Sequence, residues 1–206
     1  MKSKWKSLLV TSLVILAPII YGVSVYDQLP ARMVTHWGFN NQPNGWMAKP
    51  LVVFGLPILM LLIHLVAVGA TYHADAKGRP APRMERVIAW ICPVITIVAY
   101  TITIRYGLGE AVDIRLWTVI MVAAILIFIG NYLPTVPPES AGNSGFHPGK
   151  PNSQSDLRST GYCLVLFGVL TLLSLFFPSI VTVIVLVLFI ISLLSLMLIS
   201  YRKSAK

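Results

Sequence analysis

The side chains most capable of chemistry are gathered in one polar segment, residues 26–50. Its candidate ligand-binding residues are His36, Trp37, Asn40, Asn44, Gly45 and Trp46. A histidine can titrate, bind a metal or donate to a ligand, and an asparagine both donates and accepts hydrogen bonds. Aromatic rings can enclose an apolar ligand, but they also form interfacial belts beside membrane spans. The segment is therefore either a recognition surface or a packed lid.

The polar segment also carries signals for a hairpin. Gln42-Pro43-Asn44-Gly45 predicts a turn, because proline presets one torsion and Asn-Gly tolerates a positive φ. Residues 33–37 and 46–49 lie on either side, and we expect them to pair as two short strands.

Outside this segment, His64 is the one imidazole inside a long apolar run. Such a residue serves either as a proton relay or as a polar contact between helices, and the sequence leaves both open. Motifs for zinc proteases, serine hydrolases and phosphate-binding loops are absent, so we expect neither an enzyme nor a cofactor. No metal is expected, because no second histidine or cysteine accompanies His36. We expect all four aspartates to lie in loops, namely Asp27, Asp75, Asp113 and Asp156.

The composition defines the fold class. The chain has 206 residues, of which 56% are hydrophobic and only 11% charged, with a mean hydropathy of +0.79. Soluble domains carry about 25% charged residues. The chain is therefore predicted to be an all-α integral membrane protein whose partner is the lipid bilayer. The formal net charge of +9 comes from basic residues at the ends of apolar runs, where they meet anionic head groups, so nucleic acid is not an expected partner.

Six apolar runs predict six transmembrane helices. We place them at residues 7–25, 51–72, 87–104, 116–133, 161–177 and 179–201. No charged residue occurs from Leu164 to Ile199, and as one helix this run would be about 54 Å long, beyond a core of about 30 Å. Pro178 favours a hairpin of two spans there, the alternative being one kinked or partly re-entrant element. Residues 1–72 are predicted to form an N-terminal domain and 73–206 a second one, with a flexible cytoplasmic linker at 134–159.

The basic residues also predict the orientation. With the N-terminus in the cytoplasm, 12 of the 16 Lys and Arg residues fall on the inner side. The positive-inside rule then puts both termini inside and the 26–50 loop outside, as a structured extracellular loop between helices 1 and 2. Prolines within the first three spans either kink them to leave a cleft beneath this loop or have no special role; they are Pro18, Pro57 and Pro93.

Three short motifs within the polar segment resemble a known family. They are Tyr26-Asp27-Gln28-Leu29-Pro30, Thr35-His36-Trp37-Gly38 and Gln42-Pro43-Asn44-Gly45-Trp46. Together they resemble the N-terminal domain, a domain of unknown function numbered 1648, of SdpI-type bacterial membrane proteins. The segment Gly130-Asn131-Tyr132-Leu133-Pro134 resembles the GN-x-LP motif of the family's C-terminal half, which is divergent here after Pro134.

The resemblance implies an immunity protein of a bacterial plasma membrane, which protects the cell from a membrane-active toxic peptide. It also implies that such a protein senses the peptide and signals to a cytoplasmic regulator. Two alternatives remain. One is a small permease or efflux component that uses His64 and the proline kinks. The other is an accessory subunit that packs on a membrane partner protein.

Overall fold

The computed structural model describes residues 2–38, 40–76, 80–137 and 154–204. These residues form seven α-helices, several short helical turns and one hairpin of two strands. The α-helices are α1 (Lys2–Leu16), α2 (Pro18–Ser24), α3 (Leu56–Ala76), α4 (Pro82–Gly107), α5 (Ile114–Tyr132), α6 (Gln154–Leu173) and α7 (Ser179–Ser204); the strands are β1 (Arg32–Trp37) and β2 (Pro43–Ala48).

Six helical segments are long and apolar enough to cross a membrane, so this is a multi-pass membrane protein. They are Lys4–Ser24, Leu51–His73, Pro82–Gly107, Ile114–Thr135, Gln154–Phe176 and Ser179–Lys203. The six predicted spans are thus confirmed, but four begin earlier than the apolar runs, the third and the fifth by five residues or more. The third starts five residues earlier because the Glu85 carboxylate accepts a hydrogen bond from the Ala81 amide at 3.2 Å and so satisfies a free N–H of the first turn. The fifth starts at Gln154, so residues 154–159 of the predicted linker are helical, while 138–153 lie outside the described residues.

The chain forms two compact units. One contains residues 1–69 and 88–121, and the other contains residues 70–87 and 122–206. In the first unit, a buried cluster joins the base of the hairpin to the neighbouring helices; it consists of Leu29, Met33, Val52, Val53, Tyr100 and Ile104. The hairpin is therefore packed on the helices rather than suspended from them.

Prolines interrupt the first two spans at defined places. The first span breaks at Ala17, where α1 ends and α2 begins with Pro18. In the second span, Leu51–Gly55 form one π-helical turn just before Pro57. Pro57 has no N–H, so the carbonyl of Val53, four residues earlier, lacks its α-helical donor. The Tyr100 hydroxyl of α4 supplies a donor instead, at 3.2 Å.

In the second unit, α6 and α7 form the hairpin that Pro178 favoured. The hydroxyl groups of Ser174 and Thr182 are 2.8 Å apart beside the turn. At the other end, Asp156 accepts hydrogen bonds from Ser200 at 3.2 Å and Lys203 at 3.3 Å. The expectation that Asp156 lies in a loop was wrong: it lies in the first turn of α6, with its side chain only 11% exposed. A carboxylate is favourable there because the N–H groups of the first turn point towards it. Asp75 also lies in a helix, the last turn of α3.

Glycines bring α5 and α6 into backbone contact. A Cβ atom on Gly130 would lie 2.6 Å from the carbonyl oxygen of Gly161, and one on Gly161 would lie 2.6 Å from that of Gly130. Seven residues further along α6, a Cβ on Gly168 would lie 2.6 Å from the Ile127 side chain. Small residues at such a crossing are a usual way for membrane helices to pack closely.

Candidate functional site

The hairpin was predicted correctly, but its turn was not. The turn includes Gly38 and residues 40–42, where the Gly38 amide donates to the Gln42 carbonyl at 2.8 Å and Asn41 has a φ of 64°. The predicted turn residues Pro43, Asn44 and Gly45 instead belong to β2. An asparagine tolerates the left-handed conformation that this turn needs, so Asn41 can form it. Proline is acceptable as the first residue of a strand, so Pro43 begins β2 and the turn lies earlier in the chain than the sequence predicted.

The two strands carry a compensating pair of irregularities. Val34 pairs with Trp46 and His36 with Gly45, so Thr35 is an extra residue on β1. Trp37 then pairs with Pro43, so Asn44 is an extra residue on β2. Such β-bulges change the direction of the side chains around them. Their effect here is that three consecutive residues of β1, 35–37, line one cavity, whereas a regular strand would turn alternate side chains away from it.

This cavity is the candidate site. It has a volume of about 430 Å³ and lies between the hairpin and the helices of the first unit. Its lining residues are Thr35, His36 and Trp37 of β1; Leu56 and Met60 of α3; Ile95, Thr96, Ala99, Tyr100, Ile102 and Thr103 of α4; and Ile114, Thr118 and Met121 of α5. Most of this surface is aliphatic or aromatic, with a few hydroxyl groups, an imidazole and an indole. That composition is typical of sites for apolar ligands.

The cavity-lining residues carry few polar side-chain atoms, and two of their hydroxyl groups have known acceptors. The Thr96 and Thr103 hydroxyls donate to carbonyls of their own helix, those of Cys92 at 2.7 Å and Ala99 at 2.8 Å. Their single protons are used, and their oxygen atoms remain available as acceptors. The buried indole Nε1–H of Trp37 has no hydrogen-bond partner among the described residues. The hydroxyl oxygens of Thr96 and Thr103 thus remain as acceptors, whereas the indole nitrogen of Trp37 is buried and has no accessible surface towards the cavity.

The indole of Trp37 is held in place by an aromatic contact. Its ring lies 5.3 Å from that of Tyr106, centroid to centroid, in a T-shaped arrangement with an interplanar angle of 83°. Edge-to-face packing of this kind is favourable and restricts the orientation of both rings. The unpartnered Nε1–H therefore belongs to an ordered ring.

The predicted ligand-binding residues take different positions in the hairpin. His36 lines the cavity rim, and its Nδ1 is hydrogen-bonded to the Asn44 Oδ1 across the strands. Gly45 lies opposite His36, where a Cβ would come within 2.8 Å of the His36 Cβ. Asn40 belongs to the turn and accepts from the Gln42 amide at 3.3 Å. Trp46 is 49% exposed and does not line the cavity.

Sequence reasoning missed the lysine that fixes the base of the hairpin. The Lys49 ammonium donates to the carbonyls of Tyr26 at 3.0 Å and Leu29 at 2.9 Å. It also lies 4.5 Å from the centre of the Tyr26 ring. Leu29 is buried in the core cluster, so the Tyr-x-x-Leu-Pro motif has a structural role here. The available signal was the position of Lys49, a cation close before a long apolar run.

His64 makes a contact between helices. Its Nε2 lies 2.8 Å from the Thr11 hydroxyl of α1, and both residues are fully buried. The Thr11 hydroxyl has the Ser7 carbonyl 2.9 Å away as an acceptor for its own proton, so its oxygen can accept from His64 Nε2–H. Nδ1 of His64 has no partner among the described residues, and a charged imidazole would leave an N–H unpaired there. Of the two interpretations, this geometry favours the polar contact between helices.

The residues of the GN-x-LP motif lie at the crossing of α5 and α6. Gly130 touches the backbone of Gly161, and a Cβ on Gly161 would lie 3.0 Å from the Pro134 ring. The Pro134 carbonyl accepts a hydrogen bond from the Gln154 amide at 2.5 Å. Asn131 is exposed, and its side chain makes no hydrogen bond to another residue of the described ranges. Gly130 therefore allows α5 and α6 to pack closely, and Pro134 holds the end of this crossing through its contacts with Gly161 and Gln154.

Within the described ranges, no group of three or more His, Cys, Asp or Glu side chains is close enough to hold a metal ion. No curated protein and no solved structure is similar enough to the chain to count as a match. Residues 13–61 match a family described as a domain of unknown function (DUF1648). The matched residues run from the first span through the hairpin and the π-helical turn into α3. The chain is thus similar to this domain in the part that forms one side of the cavity.

Proposed function

We propose that this protein confers immunity or resistance to a membrane-active toxic peptide in a bacterial plasma membrane. The observation that carries the proposal is the placement of His36 and Trp37, which line a cavity enclosed on its other sides by membrane-spanning helices. A peptide that inserts in the outer half of the bilayer would meet the hairpin first and this cavity next. The resemblance of the hairpin motifs to SdpI-type proteins supports the same function.

The proposal needs the hairpin to face the outside of the cell. Support comes from the basic residues, most of which lie at the opposite ends of the spans. On the hairpin side, Lys49 is engaged with backbone carbonyls and Arg105 forms an ion pair of 2.5 Å with Glu110, so neither cation is a free anchor to the inner leaflet. Sensing of the peptide and transmission to a cytoplasmic regulator would be an additional role.

A survival assay tests this proposal. The protein is produced in a sensitive bacterium, which is challenged with a panel of membrane-active peptides beside the empty vector. We expect selective protection against at least one peptide, and loss of it in the double variant His36→Ala, Trp37→Ala, which changes the two residues that carry the proposal. Gln28→Ala, an exposed change outside the cavity, is the matched control. Absence of protection by inserted wild-type protein would contradict the proposal, and intact protection in the double variant would refute the role of the hairpin.

The alternative of a small permease gains no support from His64, because that side chain is engaged with Thr11. Substrate flux through liposomes that contain the protein, lost in His64→Leu, would revive it. The accessory-subunit alternative predicts a stable complex with a membrane protein on purification.

A further inference from the structure

The face of the hairpin that points away from the core cluster carries a cation and a large aromatic ring next to the ends of the spans. We propose that this face binds the phosphate groups of anionic phospholipids in the adjacent leaflet, with Arg32 as the phosphate ligand and Trp46 as the aromatic anchor beside it. This inference goes beyond the proposed function and does not depend on it, because it concerns whichever leaflet lies on the hairpin side.

The two strands divide their side chains between the core cluster and the surroundings. On β2, exposure alternates, so that Trp46 and Ala48 are exposed while Met47 packs against the core cluster. On β1, Arg32 is exposed and pairs with Ala48, and Val34 pairs with Trp46. Since alternate residues of a strand share one face of a sheet, the arginine and the tryptophan belong to the same face.

The base of the hairpin lies at the level where the neighbouring spans end. The second span begins at Leu51 and the third ends at Gly107. A Cβ on Gly107 would lie 2.7 Å from the Met33 side chain, so the residue next to Arg32 touches the end of the third span. Ala48 is three residues before Leu51, at most about 10 Å away along the chain. The headgroup layer is about 5–8 Å thick on each side of the hydrocarbon core, so the long side chain of Arg32 can reach the lipid phosphates.

The charge of Arg32 is free to pair with an anion, since within the described ranges its guanidinium forms no ion pair. The other cation of the polar segment, Lys49, is engaged with the carbonyls of Tyr26 and Leu29. Residues 26–50 contain these two cations and one carboxylate, Asp27, so the segment is net positive. A guanidinium binds a phosphate group through two parallel N–H···O bonds, which makes a lipid phosphate a complementary partner.

Trp46 selects the bilayer over a soluble anion as the partner. Its side chain is 49% exposed and does not line the cavity. A tryptophan has an apolar body and a polar N–H, and such residues are enriched at the level of the lipid headgroups. A soluble anion would pair with Arg32 but would leave this ring and the neighbouring Val34 in water. The bilayer satisfies both the charge and the apolar part of the face.

Hydrogen exchange of the full-length protein in nanodiscs tests the inference. One set of nanodiscs contains phosphatidylcholine alone, and the other contains equal parts of phosphatidylcholine and phosphatidylglycerol. We expect the amides of residues 30–36 and 44–48 to exchange about two- to fivefold more slowly with phosphatidylglycerol, an effect of the size expected for an exposed ion pair. Exchange of residues 95–103 of α4 should be the same in both.

Matched variants identify the groups that bind. Arg32→Gln keeps a polar side chain but removes the charge, and it should abolish the difference between the two lipids. Arg32→Lys should keep part of it, and Trp46→Ala should reduce it. The control for charge is Arg105→Gln, because that cation is already paired with Glu110, and Gln42→Ala in the exposed turn is a second control. Both controls should keep the full difference.

Equal exchange of the wild-type hairpin in the two lipids would overturn the inference, as would a full difference in Arg32→Gln. Inorganic phosphate or a soluble glutamate peptide, added to the phosphatidylcholine nanodiscs, should not slow exchange. Protection by either would assign the face to a soluble anion and also overturn the inference. Equal melting temperatures of Arg32→Gln and the wild-type protein in phosphatidylcholine would support it, because the lost lipid effect would then not reflect a damaged fold.

Discussion

The Tyr100 hydroxyl donates a hydrogen bond to the Val53 carbonyl, at the point where Pro57 has removed that carbonyl's α-helical donor. Gly22 leaves the space for this contact, since a Cβ there would overlap the Tyr100 hydroxyl. One bond between two spans therefore corrects the defect that a proline creates within one of them.

We expect Tyr100→Phe to lower the free energy of unfolding by about 1–3 kcal/mol, because it removes a hydrogen bond to a buried carbonyl. The cost should be smaller in a Pro57→Ala background, where residue 57 again has an N–H. Unfolding in mixed micelles measures both values. Tyr106→Phe, whose hydroxyl has no hydrogen bond within the described ranges, is the control. Equal costs in the two backgrounds would contradict this account.

Gly130→Ala should destabilise the crossing of α5 and α6 by about 1–3 kcal/mol, because the added methyl group would lie 2.6 Å from a backbone carbonyl that cannot move aside cheaply. Gly69→Ala is the matched control. A Cβ there would have no atom within 4 Å. The variant should gain up to about 1 kcal/mol of stability, because alanine lowers the conformational entropy of the unfolded chain. Thermal unfolding of the two variants in the same detergent distinguishes them. A similar loss in both would mean that helix propensity, not the crossing, decides the outcome.

Thr11→Val should cost about 1–3 kcal/mol, because it leaves the His64 Nε2–H buried without an acceptor. The double variant Thr11→Val, His64→Leu should be closer to the wild-type protein than Thr11→Val alone, since it leaves no unpaired polar group. The free energies of unfolding of the single and double variants give the interaction energy between Thr11 and His64. A double variant that is less stable than either single one would exclude a purely structural pair.

Lys49→Met should loosen the base of the hairpin, because two backbone carbonyls lose a charged donor. Hydrogen bonds to charged groups contribute about 1.5–3 kcal/mol each, and partial exposure of Lys49 puts the expected loss near the lower value. Hydrogen exchange of residues 26–34 should rise, while that of α4 stays unchanged. An unchanged exchange rate around Leu29 would show that the core cluster alone holds this turn.

A cysteine at Asn40 should react with a membrane-impermeant maleimide on intact cells, and a cysteine at Arg202 should react only after permeabilisation. This expectation follows from the distribution of basic residues. Cys92 and Cys163 lie within spans and provide the unlabelled background. The reverse pattern of labelling would invert the predicted orientation and remove the basis of the immunity proposal.

The sequence predicts the number of spans well, because uninterrupted apolar runs have few alternatives in a membrane protein. It also predicts the break at Pro178, the strongest interruption in the last apolar run. It predicts span ends less well. Arg83 and Glu85 belong to α4 although they are polar, since a helix can continue beyond the hydrocarbon core at no desolvation cost.

The candidate site was only partly predictable. His36 and Trp37 were selected from their types, but Thr96 and Thr103 looked like ordinary polar residues of a span. What brings them together is the packing of α4 against the hairpin, a long-range contact that local patterns do not contain. The bulge at Thr35 was likewise hidden, because it depends on the pairing register and not on a local sequence signal.

The bulge at Thr35 shifts the pairing register of the two strands by one residue, and the bulge at Asn44 shifts it back. Removal of one residue alone would turn the following side chains to the opposite face of the strand. Removal of both would give a regular hairpin that turns away part of the cavity wall. A single insertion or deletion in this hairpin should therefore disturb both the strand pairing and the cavity, whereas a matched pair, one in each strand, should keep the pairing and disturb only the cavity wall. Met33 and Met47, which pair between the bulges and the base of the hairpin, should remain opposite each other in every sequence that carries such a matched change.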